Sequence, residues 1–183
     1  MSFVGSVRRT GKSVSYGEGD SAMTSEPLTT CLWFDDQAEE AARFYTGLFK
    51  DSAMGDIHRY TEAGPGKAGT VMLAEFELNG QKFTGLNGGP QNFGFNEAVS
   101  FCVTCADQAE VDYYWEGLLA GGGEPSVCGW LKDKFGVRWQ VVPQVFYTMV
   151  RDEDQARKAR VTAAMLSMVK FDIAALEKAY AGD

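Results

Sequence analysis

Four cysteines and a lone histidine are the residues of this 183-residue chain best suited to chemistry: Cys31, Cys102, Cys105, Cys128 and His58. Thiolates and imidazoles hold zinc when about four of them converge, most readily from paired CxxC motifs. Cys102 and Cys105 form one CxxC, but in a stretch of strand-like alternation, where residues three apart point to opposite faces. No second CxxC follows and His58 is distant in sequence, so the spacing argues against a cysteine zinc site. The thiols read as reduced and mostly buried, as in a cytoplasmic protein. Two glycine-bearing stretches raise the question of phosphate. Gly11-Lys12-Ser13 has the ending of a phosphate loop, but Gly5 lies one residue too far upstream for GxxxxGK(S/T), and no strand precedes it. Gly121-Gly122-Gly123 follows a helical segment instead of opening one. It lacks the helix N-terminus that binds an anion, and reads as a helix stop.

Composition narrows the partners. With 45% hydrophobic and 23% charged residues the chain is globular, long enough for one ordinary domain or two small modules. A net charge of −8 and an isoelectric point near 4.7 exclude a general nucleic-acid surface. No window holds the ~18 uninterrupted apolar residues of a membrane span.

The elements that must position any site fall into three parts. Residues 1–26 carry Arg8, Arg9 and Lys12 among glycines and serines, with no apolar periodicity and no signal-peptide core. They read as a flexible leader, and Met23 is an alternative start. Residues 27–143 form two similar halves, 27–92 and 97–143. In the first, a strand over 28–34 precedes a helix capped by Asp35 or Asp36, then a strand over 54–61 and a hairpin turning at Asn79-Gly80. In the second, a strand over 98–105 precedes a helix capped by Asp107, and residues 129–143 supply two strands joined by a charged turn. Residues 144–183 read as a helical extension, with helices capped by Asp152 and Asp172 and an apolar face at Val161, Met165, Met168 and Val169. The pattern predicts an α+β fold: two βαβββ modules forming a cup-shaped, mostly antiparallel sheet, plus C-terminal helices.

Three motifs carry a family resemblance over about residues 27–182. They are Phe34-Asp35 with Ala38-Glu39-Glu40-Ala41 and Phe44-Tyr45, then Cys128-Gly-Trp-Leu-Lys-Asp-Lys-Phe-Gly-Val-Arg-Trp-Gln-Val-Val-Pro143, and the tail from Ala164-Met165-Leu166 to Ala179-Tyr180. The chain resembles the PhnB-like branch of the vicinal oxygen chelate (glyoxalase/bleomycin resistance) superfamily. That branch bears the label 3-demethylubiquinone-9 3-methyltransferase. The resemblance implies a metal site in metal-using members built from His, Gln or Glu on four strands. Matched strand to strand, the positions here are Thr30, one near Gly85, Ser100 and Gln140. Hydroxyls and one amide hold a divalent transition ion poorly, so no metal and no other cofactor are expected there. Asp35, Asp36 and Asp133 sit at turns and read as caps and solvated charges.

The expected site is a polar, uncharged corner inside an apolar cup, with Thr30, Ser100 and Gln140 facing inward together. On the same strand phases Leu32, Phe34, Cys102, Thr104, Arg138 and Val142 also point in. Such a cavity suits a small, partly polar organic ligand; the alternative is a cup filled by its own side chains. Arg138 either reads an anionic group or snorkels outward. Three functions fit these residues. The first is a small-molecule binding protein. The second is a metal-independent enzyme using Ser100, Gln140 or Cys102, although Cys102 has no visible base to activate it. The third is the methyltransferase of the family label, whose usual parallel sheet and glycine-rich first loop are missing from the pattern. A homodimer is expected, because the two halves expose sheet edges that pairing would cover.

Overall fold

A computed structural model describes residues 28–183; the leader and its Gly11-Lys12-Ser13 lie outside the described residues. The first half opens with strand β1 (Thr30–Phe34) and helix α1 (Ala38–Leu48). Ala38, Ala41, Ala42 and Tyr45 of α1 are completely buried, and three alanines let the helix lie close on the sheet. A Cβ built at Gly85 would come 3.0 Å from that of Ala38, so the strand beneath the helix needs a glycine there. Neither Asp35 nor Asp36 caps α1. The first N–H, of Ala38, donates instead to Asn87 Oδ1 at 2.8 Å, a partner 49 residues away.

Strands β2 (Ser52–Arg59), β3 (Val71–Leu78) and β4 (Gln81–Asn87) complete the half. The β3–β4 hairpin turns at Asn79 (φ 48°) and Gly80 (φ 79°), the left-handed pair that a two-residue hairpin requires. The sheet order is β1-β4-β3-β2, with β1 parallel to β4 and the other pairs antiparallel.

The second half repeats the plan with shorter pieces: β5 (Phe101–Cys105), α2 (Gln108–Leu119), β6 (Glu124–Pro125), β7 (Trp130–Lys132) and β8 (Arg138–Pro143), ordered β5-β8-β7-β6. Asp107 caps α2 as expected, accepting from Glu110 N at 2.9 Å. The turn between β7 and β8 departs from expectation. Asp133, read as a solvated turn charge, is only 1% exposed. Its carboxylate accepts from Tyr45 Oη at 2.7 Å, Trp139 Nε1 at 2.8 Å, Phe135 N at 2.9 Å and Val137 N at 3.0 Å. A buried carboxylate persists because every lone-pair direction meets a donor.

Helices α3 (Gln144–Met149), α4 (Gln155–Leu166) and α5 (Ile173–Ala181) form the C-terminal extension. Asp154, not Asp152, caps α4, and α4 stops at Leu166 instead of continuing to 169. The segment after it runs beside β7, where Cys128 N donates to Met168 O and Gly129 N to Val169 O, both at 2.8 Å. Phe171, 1% exposed, fills the space that Gly129 leaves by having no side chain. Asp172 caps α5 through Ala175 N.

The helix-covered faces of both sheets meet in one core. Phe83 contacts Phe101 across the halves (ring centroids 5.3 Å), and Trp139 stacks on Phe49 at 5.4 Å. No helix among the described residues is long and apolar enough to cross a membrane.

Candidate ligand site on the open sheet faces

Each sheet has one face against the helices and one turned away, and strand phase decides which side chains reach the open one. In the second sheet Phe101 pairs with Trp139, Val103 with Val141 and Leu131 with Trp139, and these residues form the covered face. The intervening residues therefore share the open face: Cys102 beside Gln140 beside Trp130, with Arg138 beside Lys132, and Thr104 beside Val142. Trp139 toward the helices and Gln140 on the face away from them, the inward face of the expected cup, is the arrangement that the alternation predicts.

On this face Gln140 Nε2 donates to Ser100 Oγ at 2.8 Å, so the amide has a partner on the neighbouring chain segment. Arg138 is held twice, by Nε to Glu97 Oε1 at 2.8 Å and Nη1 to Gly136 O at 3.1 Å. It neither stands free nor snorkels fully outward. Lys132 pairs with Glu124 at 2.6 Å. Arg138, Lys132, Glu97 and Glu124, with Trp130, Val127 and Cys128, line a cavity of about 470 Å3, while Gln140 and Ser100 lie outside its lining. Tyr147 of α3, which the sequence reading did not single out, reaches Thr104 and Cys102 at the other end of the face, and burial pushes its phenol up. Its only signal in sequence was position, the fourth residue of a helix that follows β8 directly.

The first sheet corrects the expectation for Thr30. Thr30, Leu32 and Phe34 pair with Phe83, Gly85 and Asn87, the residues that lie under α1. They therefore belong to the covered face, and Leu32 and Phe34 are core. Thr30 Oγ1 accepts from Gln81 Nε2 at 3.3 Å. Cys31 and Trp33 take the open face instead, Trp33 being 36% exposed. Thr30 still comes near the second half, because it lines a seam cavity of about 300 Å3 with Cys31, Val99, Phe101 and Arg138. The structure thus brings Ser100, Cys102, Arg138 and Gln140 together and sends Thr30 to the seam.

Chemistry at these positions is limited by charge. Of the four positions that correspond to the superfamily metal ligands, Thr30 and Gly85 face the helix, and Ser100 and Gln140 are neutral and bonded to each other. This donor set does not fit a divalent ion. Contrary to expectation the thiols are not mostly buried: Cys31 and Cys102 are exposed and Cys128 is intermediate, with only Cys105 enclosed. Burial of the sulfur still raises the Cys31 and Cys102 thiols, and raises Cys105 to about 12. The nucleophilic thiolate is therefore scarce at neutral pH.

Residues 26–142 match the family described as 3-demethylubiquinone-9 3-methyltransferase. Among solved structures, a PhnB protein from Bacillus cereus carrying the same methyltransferase description is 41% identical, with a TM-score of 0.59. The match covers 64% of this chain and 99% of that one. Protein PA1353 from Pseudomonas aeruginosa is 18% identical with a TM-score of 0.53, covering 63% of this chain and 96% of its own, a likeness of fold. No curated protein matches.

Proposed function

The chain belongs to the 3-demethylubiquinone-9 3-methyltransferase family, with a glyoxalase/bleomycin-resistance type of fold, and from that premise we propose that it binds a small organic molecule on the open face of its second sheet. The observation that carries this reading is a cavity of about 470 Å3 lined by Trp130, Lys132 and Arg138, with Gln140, paired to Ser100 at 2.8 Å, next to Trp130 in the sheet. That volume is in the range of small-ligand pockets. Trp130 offers an aromatic surface, while Gln140, Ser100 and the restrained Arg138 offer a few directed hydrogen bonds. Binding at this face uses no ion at the superfamily metal positions, because the residues there are neutral or turned away.

A second copy of the chain completes the site in this proposal. Trp33, Cys31, Cys102 and Thr104 lie exposed on the open faces, and an isologous pairing would cover them. The same proposal puts the protein in the cytoplasm, where its four cysteines would stay reduced.

The methyltransferase name attaches to the family. A nucleotide-type methyl-donor site of the usual kind needs a parallel sheet and a glycine-rich loop after its first strand. Here the loop after β1 is Asp35-Asp36-Gln37, and among the described residues only β1–β4 and β5–β8 run parallel. Metal-free turnover through Ser100 or Gln140 is the alternative to simple binding.

Native mass spectrometry of protein purified without additives tests the reading. A dimer retaining a small molecule that denaturation releases is the expected result, with Gln140→Leu losing that molecule. A monomer without retained mass, and without thermal stabilisation by any member of a metabolite library, overturns it. Consumption of a methyl donor would instead establish the activity in the family name.

A further inference from the structure

Away from that face, one group among the described residues brings three metal-ligating side chains together: Asp56 and His58 on β2 with Glu75 on β3. The three offer ligand atoms that all lie within 4.8 Å of one another. His58 Nε2 and Glu75 Oε1 are already 3.1 Å apart. In a coordination sphere with ~2.0–2.2 Å bonds, donors sit roughly 3–3.5 Å from each other. Small side-chain rotations suffice to close the set, and all three residues are exposed and free to make them.

The strand itself is deformed where the group forms. Met54 lies opposite Phe76 and Ile57 opposite Ala74, both on the covered face although three positions apart. A regular strand sends residues three apart to opposite faces, so a bulge takes up one residue between them. Its effect is to keep Met54 and Ile57 packed against the core while Asp56 and His58 emerge together near Glu75. Gly55 lies against Glu75, where a Cβ would come 3.0 Å from the Glu75 Cβ and 3.2 Å from its carbonyl oxygen. The glycine lets the bulged strand approach that closely. The chain's single histidine is thus set between two carboxylates on one face.

We propose that Asp56, His58 and Glu75 form a site for a first-row divalent ion of the zinc, cobalt or nickel type. The two carboxylates repel each other, and a divalent cation between them removes that repulsion. The imidazole nitrogen biases the set toward these ions and away from magnesium or calcium, which prefer oxygen alone. With the His58 and Glu75 side chains 46% and 49% exposed, the remaining coordination positions belong to water or to a small anionic ligand. The site stands apart from the Ser100–Gln140 face, and does not depend on the function proposed for it.

Titration of cobalt(II) into metal-free protein, followed by absorption and calorimetry, tests this. One ion per chain, with weak visible bands of nitrogen and oxygen coordination, is expected. His58→Ala and Glu75→Gln should each weaken binding tenfold or more while leaving the melting temperature of the metal-free protein unchanged. An intense near-ultraviolet thiolate band would assign the ion to Cys31 or Cys102 and overturn the proposal. Cobalt affinity unchanged in His58→Ala would overturn it equally. Magnesium bound as tightly as cobalt would show that the histidine takes no part, and would also overturn it.

Discussion

In the first half, β2, β3 and β4 run for eight, eight and seven residues; in the second, β6, β7 and β8 run for two, three and six. The long strands are joined by a turn that closes on local chemistry, Asn79-Gly80. The short ones are joined by a turn whose aspartate is held from far away, by Tyr45 at a separation of 88 residues, as well as by Trp139 nearby. The tail adds backbone bonds of its own to Cys128 and Gly129. One topology is therefore stabilised in two ways: by local preference in one half, and by a buried polar clamp plus an added segment in the other.

That contrast fails most visibly at Asp133 if it is wrong. Asp133→Ala leaves a buried phenol, an indole N–H and two backbone N–H groups unpaired, and should cost about 3–5 kcal/mol in denaturant unfolding. The matching polar link of the first half, Asn87, bridges Ala38 N and Val71 O. Asn87→Ala should cost only about 1–2 kcal/mol, comparable to a lost helix cap. Equal losses would erase the distinction. Next in size is Gly85→Ala, which pushes a methyl group against Ala38 and should cost about 1–3 kcal/mol by overpacking.

Much of this plan was legible from residue order, and the exceptions have physical causes. The duplicated elements, the Asn79-Gly80 hairpin and the Asp107 and Asp172 caps follow from local chemistry that sequence displays. The phase of β8 was also readable, because Arg138 and Gln140 alternate with Trp139 and Val141. The phase of β1 was not. Leu32 and Phe34 on one side and Cys31 and Trp33 on the other are all apolar, so alternation cannot tell covered from open. What decides it is the contact of Gly85 with Ala38, a tertiary fact. Asp133 and Asn87 escaped for the same reason, since their partners are distant in sequence.

The open faces give the next test. Gln140→Leu should weaken any ligand of the second sheet about tenfold, equivalent to ~1.4 kcal/mol, without loss of fold. Thr30→Val, on the covered phase of the first sheet, should leave the affinity unchanged. Binding measured by calorimetry separates the two, and a Thr30 effect as large as that of Gln140 would return Thr30 to the site.

The smallest expected effect is one of pH. Glu110, held low by the Ala106 N–H and by Lys50, and Asp112, held low by Lys170 and Gln108, have folded values below their ordinary ones. Their contribution is present above the ordinary carboxylate range and is lost as pH falls through the folded values. Asp133 runs the other way. Burial raises its carboxyl despite four donors, so its protonation on acidification relieves a cost of the folded state. Acid unfolding should therefore loosen the Glu110–Lys50 and Asp112–Lys170 ties first. High salt should mimic that loosening at neutral pH, because these pairs are surface exposed.

The bulge in β2 has a consequence for how these molecules behave in a crowd. β2 is an outer strand of the first sheet, eight residues long, and among the described residues one of its margins has no strand alongside it. A straight strand of that length is a template on which another chain can add itself, the first step toward fibres. The irregular register around Gly55 bends the strand out of line, and the charged side chains of Asp56 and Arg59 flank the bend. Deleting Gly55 would straighten the first part of that margin, leaving only the irregularity at His58–Arg59, and at high concentration the protein's first fault would be to polymerise rather than to unfold.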